Sequence, residues 1–312
     1  MSSAVAVVGP TATGKSALAM AIARRFNGEI VACDSTAVYR GLDIGTDKVP
    51  PAEQGGIPHH LVDVVDVTDT YSAARYARDA ADTIRAISAR GRLPVIVGGT
   101  GFYFRALVRG LFPGPARNDD VRARLERVAA RRSVERLHAW LARVDPASAA
   151  RIQPRDLKRI VRALEVYLLT GTPLTGHFDA TASPIADYTV LTIGLNLTRE
   201  QLRPRVAARV DQQFDRGVVA EVQSLIARGV PPTAHAFSGL VYRQIIEMLR
   251  GDRDEAATRA LIVQENMRYA RRQVMWFKKE KDVQWIDGAG ELQETQARVL
   301  AIVTESIGNM KT

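Results

Sequence analysis

Gly9-Pro10-Thr11-Ala12-Thr13-Gly14-Lys15-Ser16 places two glycines, a lysine and a hydroxyl at the spacing of a phosphate-binding loop. Glycines let consecutive backbone N–H groups turn toward one anion, and the N-terminus of a following helix adds positive potential there. Lys15 supplies a point charge, and the Ser16 hydroxyl suits Mg2+ or a water bound to it. The pattern implies a diphosphate or a triphosphate without choosing between them. Asp34 closes a short apolar run, where α/β sheets keep their reactive groups. Three roles stand open for it: a metal-holding carboxylate, a general base, or a cap on the turn through Ser35. Its early position after a short run favours the general base. Thr100, in Gly98-Gly99-Thr100-Gly101, lies on a second glycine-rich turn, and its hydroxyl would face the same cleft if the two strands are neighbours.

These turns need a frame that brings them together. Apolar runs at 4–8, 29–33 and 93–97 read as strands, and 16–26, 73–89 and the stretch from 101 through Leu107 read as helices. Strands alternating with helices call for parallel pairing through right-handed crossovers. Helices on both faces suit strands that are continuous Val/Ile runs. From 118 to about 170 the strand-like runs stop, and helical segments rich in Arg, Ala and Leu are punctuated by Pro146 and Pro154. Asn118 before Asp119 and Asp120 has the form of a helix cap with an acidic first turn. Strand character returns at 188–195, and helices fill most of 200–281. The expectation is an α/β protein with a P-loop NTPase-like parallel sheet flanked by helices. Residues 1–115 and 185–312 would form that catalytic core, and 116–184 an all-helical insertion domain.

Composition narrows the class. With 46 % hydrophobic and 25 % charged residues, the 312-residue chain is ordinary for a globular protein and unlike a disordered one. Its 43 Lys+Arg against 34 Asp+Glu leave a net charge of +9, carried by 36 arginines and 7 lysines. A solvated arginine-rich surface and a polyanion partner both fit that excess. The single cysteine, Cys33, removes disulfide scaffolds and cysteine-based zinc sites. No apolar run reaches membrane-spanning length, and the start of the chain lacks the form of a signal peptide. The expectation is a cytoplasmic protein without membrane contact. Arg155, Arg159 and Arg162 share one helix face and make a basic stripe. His59 and His60, adjacent on a strand, point to opposite faces and so do not form a metal pair. Trp276 and Phe277 read as core.

The phosphate loop is followed in order by Asp34-Ser35 with Val38-Tyr39-Arg40, Asp43-Ile44-Gly45-Thr46, Pro58-His59-His60-Leu61-Val62-Asp63 and Gly98-Gly99-Thr100-Gly101. Arg159 to Glu165 (RIVRALE), Arg205 to Asp211 (RVAARVD), Tyr242-Arg243-Gln244, Arg271-Arg272-Gln273 and Trp276-Phe277 complete the series. From about residue 4 to 286 it resembles the tRNA dimethylallyltransferases, which add an isopentenyl group to N6 of adenosine 37 beside the anticodon. The resemblance implies that Gly9, Pro10, Thr11, Ala12, Thr13, Gly14, Lys15 and Ser16, with Arg209, hold the diphosphate of dimethylallyl diphosphate rather than ATP. It implies Asp34 as general base on the adenine amine and Thr100 as the group facing the bridging oxygen of the leaving diphosphate. Contacts to tRNA are implied for Asp34, Ser35, Thr36, Ala37, Thr100, Arg122, Lys158, Arg159, Ile160, Val161, Arg162, Ser238, Gly239, Leu240, Val241, Tyr242 and Arg243. Mg2+, with Ser16 as its ligand, is the implied cofactor. The implied partners of a monomeric enzyme are dimethylallyl diphosphate and the anticodon stem-loop, and the helical insertion 116–184 is implied to bind the tRNA.

Two departures stand out. The family usually reads Asp-Ser-Met-Gln where this chain has Asp34-Ser35-Thr36-Ala37, and its Gly-Tyr pair is here Val241-Tyr242. Three rival readings remain: a small-molecule kinase using ATP, a prenyltransferase acting on free adenine nucleotides, and a non-catalytic RNA-binding protein. The last would make Lys15, Asp34 and Thr100 superfluous.

Overall fold

The computed structural model describes residues 2–112 and 114–309. Its first half alternates strand and helix: β1 (Ser2–Val8), α1 (Lys15–Arg25), β2 (Gly28–Ala32), β3 (His59–His60), α2 (Ala73–Ala89), β4 (Leu93–Gly98) and α3 (Gly101–Val108). Four helices follow, α4 (Asp119–Arg132), α5 (Val134–Val144), α6 (Pro146–Arg151) and α7 (Leu157–Thr170). The chain then returns to β5 (Tyr188–Asn196), α8 (Arg199–Asp215), α9 (Val218–Ala227), α10 (Tyr242–Leu249), α11 (Glu255–Phe277), β6 (Val283–Asp287) and α12 (Gln293–Asn309). The expected strands and helices form within two residues of their sequence bounds. The two-residue β3 holds the His59–His60 pair that the sequence places on a strand, whereas β6, half-exposed, follows a long helix without a continuous apolar run and was not expected as a strand.

Among the described residues the strands form one sheet in the order β3-β2-β4-β1-β5-β6. Every pairing is parallel, with Val8 opposite Gly98, Ala32 opposite Val97 and Val7 opposite Ile193. Val5, Val7, Val95 and Ile193 are at most 1 % exposed and meet Leu18, Ile22, Val299 and Val303 of the flanking helices. A sheet covered on both faces needs such runs, because water meets neither side. A charge also sits in this apolar frame. Glu29 of β2 is 2 % exposed and meets His60 Nε2 at 2.6 Å, Arg90 Nη2 at 2.6 Å and Arg92 Nη1 at 3.2 Å, so a buried carboxylate is fully paired.

The chain divides into two compact units, Met1–Val108 with Pro184–Thr312, and Arg109–Ser183. The helical unit thus begins at Arg109 rather than 116 and ends at Ser183 rather than 184. Its core is Leu125, Leu137, Leu141, Ile160, Val161 and Leu164. The Asn118 side chain caps α4 by accepting the Val121 N–H at 3.0 Å, ahead of Asp119 and Asp120.

Candidate active site

The strand order decides where the chemistry lies. β4 sits between β1 and β2, so the turns after β1, β4 and β2 emerge side by side at the C-terminal edge of the sheet. With strands about 4.8 Å apart, the phosphate loop and the Asp34 turn are separated by roughly 10 Å, with the Thr100 turn between them. A cleft of about 810 Å³ opens over this edge, lined by Lys15, Ser16, Asp34, Thr36, Arg209 and Arg243 among others. It lies wholly within the sheet-containing unit.

The phosphate loop is tightly built. Gly9 has φ +134°, and a Cβ there would come within 2.7 Å of the Leu195 carbonyl oxygen. Gly14, left-handed at φ 80°, caps α1. The Pro10 carbonyl accepts from Lys15 Nζ at 2.6 Å and from Thr13 Oγ1 at 2.9 Å. Arg205 Nε donates to the Ala12 carbonyl at 2.7 Å, stabilising a residue at φ 59°. Burial, then the nearby Arg209 charge, push the Lys15 ammonium down to about 7, against the opposing pull of Asp34. A cation held that far below its usual range accommodates an anion well, because the anion supplies the missing counter-charge. The Thr11 N–H does not join the anion nest: it donates to Gln273 Oε1 at 2.9 Å.

Asp34 divides its two oxygens between structure and cleft. Oδ1 accepts from Thr36 N at 2.8 Å, Thr36 Oγ1 at 2.7 Å and Ala37 N at 3.2 Å, which is a capped turn. Oδ2 takes no hydrogen bond from the described residues. The capping role weighed from sequence therefore exists, and it occupies one oxygen only. Thr36 adds a hydroxyl donor where the resemblance expects methionine. The Thr100 hydroxyl accepts the Ser35 N–H at 3.1 Å and pairs with Tyr269, whose phenol is pushed up to about 12 by burial and by the Asp34 charge. The residues from 34 to 37 and Thr100 thus share one hydrogen-bonded group.

A second layer fixes the cationic side. Arg209 Nη1 donates to Thr11 Oγ1 at 2.7 Å, and its Nε pairs with Asp47 Oδ2. Gln213 Nε2 donates to the same Asp47 oxygen at 2.6 Å. Glu221 accepts the N–H groups of Asp43 and Ile44, each at 2.8 Å, and the Tyr242 hydroxyl at 2.8 Å. The Tyr242 ring leaves no room at Gly45, where a Cβ would lie 2.6 Å from Cζ. Val241, which precedes α10, sits at φ 77° and ψ −63°, a conformation that a β-branched residue adopts only under strain. Asp47, Gln213, Glu221, Tyr269 and Gln273 are site residues that the sequence reading did not single out. The one signal for Asp47 and Gln273 was their position beside or within quoted motifs.

The expected 238–243 segment lines this cleft, with Arg243 half-exposed and paired to Glu265 at 2.7 Å, and Ser238 Oγ donating to the His235 carbonyl. Phe277 is core as expected, fully buried, whereas Trp276 is only half-buried, with the Arg105 guanidinium 4.6 Å from its ring centre.

In the helical unit the 158–162 stretch does not present one face. Lys158 and Arg159 are exposed, whereas Ile160 and Val161 are 0 % and 2 % exposed in the core, so those two side chains are unavailable to RNA. Arg122 and Arg162 both grip the buried Glu165. It accepts from Arg122 Nε at 2.9 Å and Nη2 at 2.8 Å, Arg162 Nη1 at 2.8 Å and the Asn118 N–H at 2.7 Å. Burial alone would raise the Glu165 carboxyl, but these bonds hold it at about 2. The basic stripe is likewise not free charge: Arg155 pairs with Glu135 and Arg159 with Asp156.

A glycine-rich loop, an adjacent carboxylate and a parallel sheet define a P-loop-type α/β protein whose cleft sets Lys15 and Arg209 beside Asp34. The family model described as IPP transferase matches residues 37–280. A tRNA dimethylallyltransferase of Solibacter usitatus is 43 % identical over 304 residues, covering 97 % of this chain and 99 % of that protein. A solved structure of a tRNA isopentenylpyrophosphate transferase from Bacillus halodurans shares 33 % identity with a TM-score of 0.74, covering 99 % of this chain and 98 % of that one. A eukaryotic dimethylallyltransferase acting on tRNA aligns at TM-score 0.82 and 26 % identity, covering 99 % and 80 %. The chain belongs to the tRNA dimethylallyltransferase family of IPP transferases.

Proposed function

We propose that the protein transfers a dimethylallyl group from dimethylallyl diphosphate to N6 of adenosine 37 in tRNA, releasing diphosphate. The observation that carries this reading is the juxtaposition, in one cleft over β1, β4 and β2, of the Lys15–Arg209 cations and the free Oδ2 of Asp34. The adenine N6 lone pair is delocalised into the ring and becomes nucleophilic as its proton leaves. Asp34 Oδ2 accepts that proton while the N6–carbon bond forms. The allylic carbon–oxygen bond breaks and its electron pair departs with the diphosphate. Lys15, Arg209 and the loop N–H groups neutralise that charge, with the Thr100 hydroxyl beside the bridging oxygen. Holding both substrates in one cleft supplies a further share of the acceleration.

No group of three or more His, Cys, Asp or Glu among the described residues could hold a metal on its own. Ser16, whose hydroxyl lines the cleft, fits an Mg2+ that arrives with the diphosphate and keeps most of its ligands from water and phosphate. Bound there, Mg2+ would add charge neutralisation at the leaving group.

An adenosine in an anticodon loop is stacked, so it must be extruded to reach Asp34. Thr36, Gly239 and Arg243 line its route, and the exposed Lys158 and Arg159 of the helical unit offer phosphate contacts. No described helix is long and apolar enough to cross a membrane, and the protein would act as a monomer in the cytoplasm. The test is incubation with labelled dimethylallyl diphosphate and either tRNA or AMP. Label on tRNA is expected; label on AMP alone, or turnover of ATP without prenyl transfer, overturns the reading.

A further inference from the structure

Gln273 lies on α11, is 6 % exposed, and lines the cleft. Its amide makes two hydrogen bonds to different loops. Oε1 accepts the Thr11 N–H at 2.9 Å, and Nε2 donates to the Gly99 carbonyl at 2.9 Å. This assignment of oxygen and nitrogen is the one that satisfies both partners, since Thr11 presents a donor and Gly99 an acceptor.

Each of the two peptide groups it touches is also held from its other side. The 10–11 peptide offers its carbonyl to Lys15 Nζ and Thr13 Oγ1. The 99–100 peptide donates its N–H to the Cys33 carbonyl at 3.3 Å. A Cβ at position 99 would lie 2.1 Å from Gln273 Nε2, so the glycine there is the space into which the amide inserts. From the second peptide the chain of contacts continues through the Thr100 hydroxyl to the Ser35 N–H beside Asp34.

We infer that Gln273 is a positioning residue whose single amide plane sets the spacing between the phosphate loop and the Thr100–Asp34 turn. The inference rests on the proposed prenyl transfer for its consequence and on the hydrogen bonds alone for its geometry. The diphosphate nest and the proton acceptor come from different strands, and neighbouring strand ends by themselves leave loop spacing soft. One rigid amide spanning both removes that freedom, as preorganisation of a site requires.

Gln273→Met and Gln273→Glu test this. Affinity for inorganic pyrophosphate is measured by calorimetry and prenyl transfer to tRNA by single turnover, each as a ratio to the unsubstituted protein at the same pH. At pH 8 both variants should lose roughly tenfold in pyrophosphate affinity and in transfer rate, while tRNA affinity is unchanged. Protonated glutamic acid has the donor and acceptor of the amide, so the ratios for Gln273→Glu should recover as pH falls to about 5.5 and those for Gln273→Met should not. Gln273→Met values within twofold of the parent, or a Gln273→Glu ratio flat with pH, overturn the inference. A parent protein that binds pyrophosphate yet transfers no prenyl group overturns the proposed function instead, and the pyrophosphate ratios still decide the role of Gln273.

Discussion

Arg209 and Asp47 form an ion pair at the edge of the phosphate loop, and the same guanidinium donates to Thr11 Oγ1 at 2.7 Å. The planar fork can hold the carboxylate and the threonine together, whereas an ammonium would reach only one of them. Arg209→Lys is therefore expected to lower kcat/KM for the prenyl donor by about 10- to 100-fold with little change in tRNA affinity. Steady-state kinetics with each substrate varied in turn checks this.

Asp34 carries a cap and a free oxygen on the same carboxylate. Asn at this position keeps an acceptor for Thr36 and Ala37 and loses the base. Asp34→Asn should suppress transfer by about 10²- to 10⁴-fold, the usual range for removal of a general base. Binding of tRNA and the unfolding midpoint should stay near the parent values; unchanged turnover would remove the base role.

Lys15 carries its proton only partly near neutral pH, because burial and Arg209 hold its pKa at about 7. Diphosphate restores the cation, so binding above pH 7 should take up protons, seen as a binding enthalpy that varies with the ionisation enthalpy of the buffer. The sign for folding follows. Between about 7 and its ordinary value of 10.5 the unfolded chain binds more protons at Lys15 than the folded one does. This group therefore makes the free protein more stable as pH rises through that window.

Glu165 is the opposite case. Its carboxyl is held at about 2 against a usual 4.5, so its contribution is complete above 4.5 and is lost as pH falls toward 2. Glu165→Ala strands the Arg122 and Arg162 guanidiniums and should cost about 3–5 kcal/mol in denaturant unfolding of the full chain. Lys158→Ala with Arg159→Ala should instead leave stability within about 0.5 kcal/mol and flatten the salt dependence of tRNA binding.

Val241 occupies backbone space that glycine enters freely. Relief of that strain in Val241→Gly should stabilise the protein by about 1 kcal/mol, offset in part because the side chain no longer packs in the core, and the net gain is readable as a higher thermal midpoint. A lower midpoint would mean that burial of the isopropyl group outweighs the strain.

The sequence by itself determined the elements and the chemical inventory. The glycine spacing of 9–14, the apolar runs, the Asn118 cap and the alternation of strand and helix are local properties, written in neighbouring residues. They fixed a phosphate loop, a carboxylate at a strand end and a helical insertion. Tertiary structure alone decided which polar groups are spoken for. Sheet order makes the turns after β1, β4 and β2 neighbours, and no residue within any one of them states that order. Arg122 and Arg162 read as free cations until Glu165, 43 and 3 positions away, closes on both. Gln273 has no meaning in a sequence window, because its partners lie 262 and 174 residues distant. Hydrogen bonds and ion pairs of such separation are set by packing of the whole unit, and periodicity carries no trace of them.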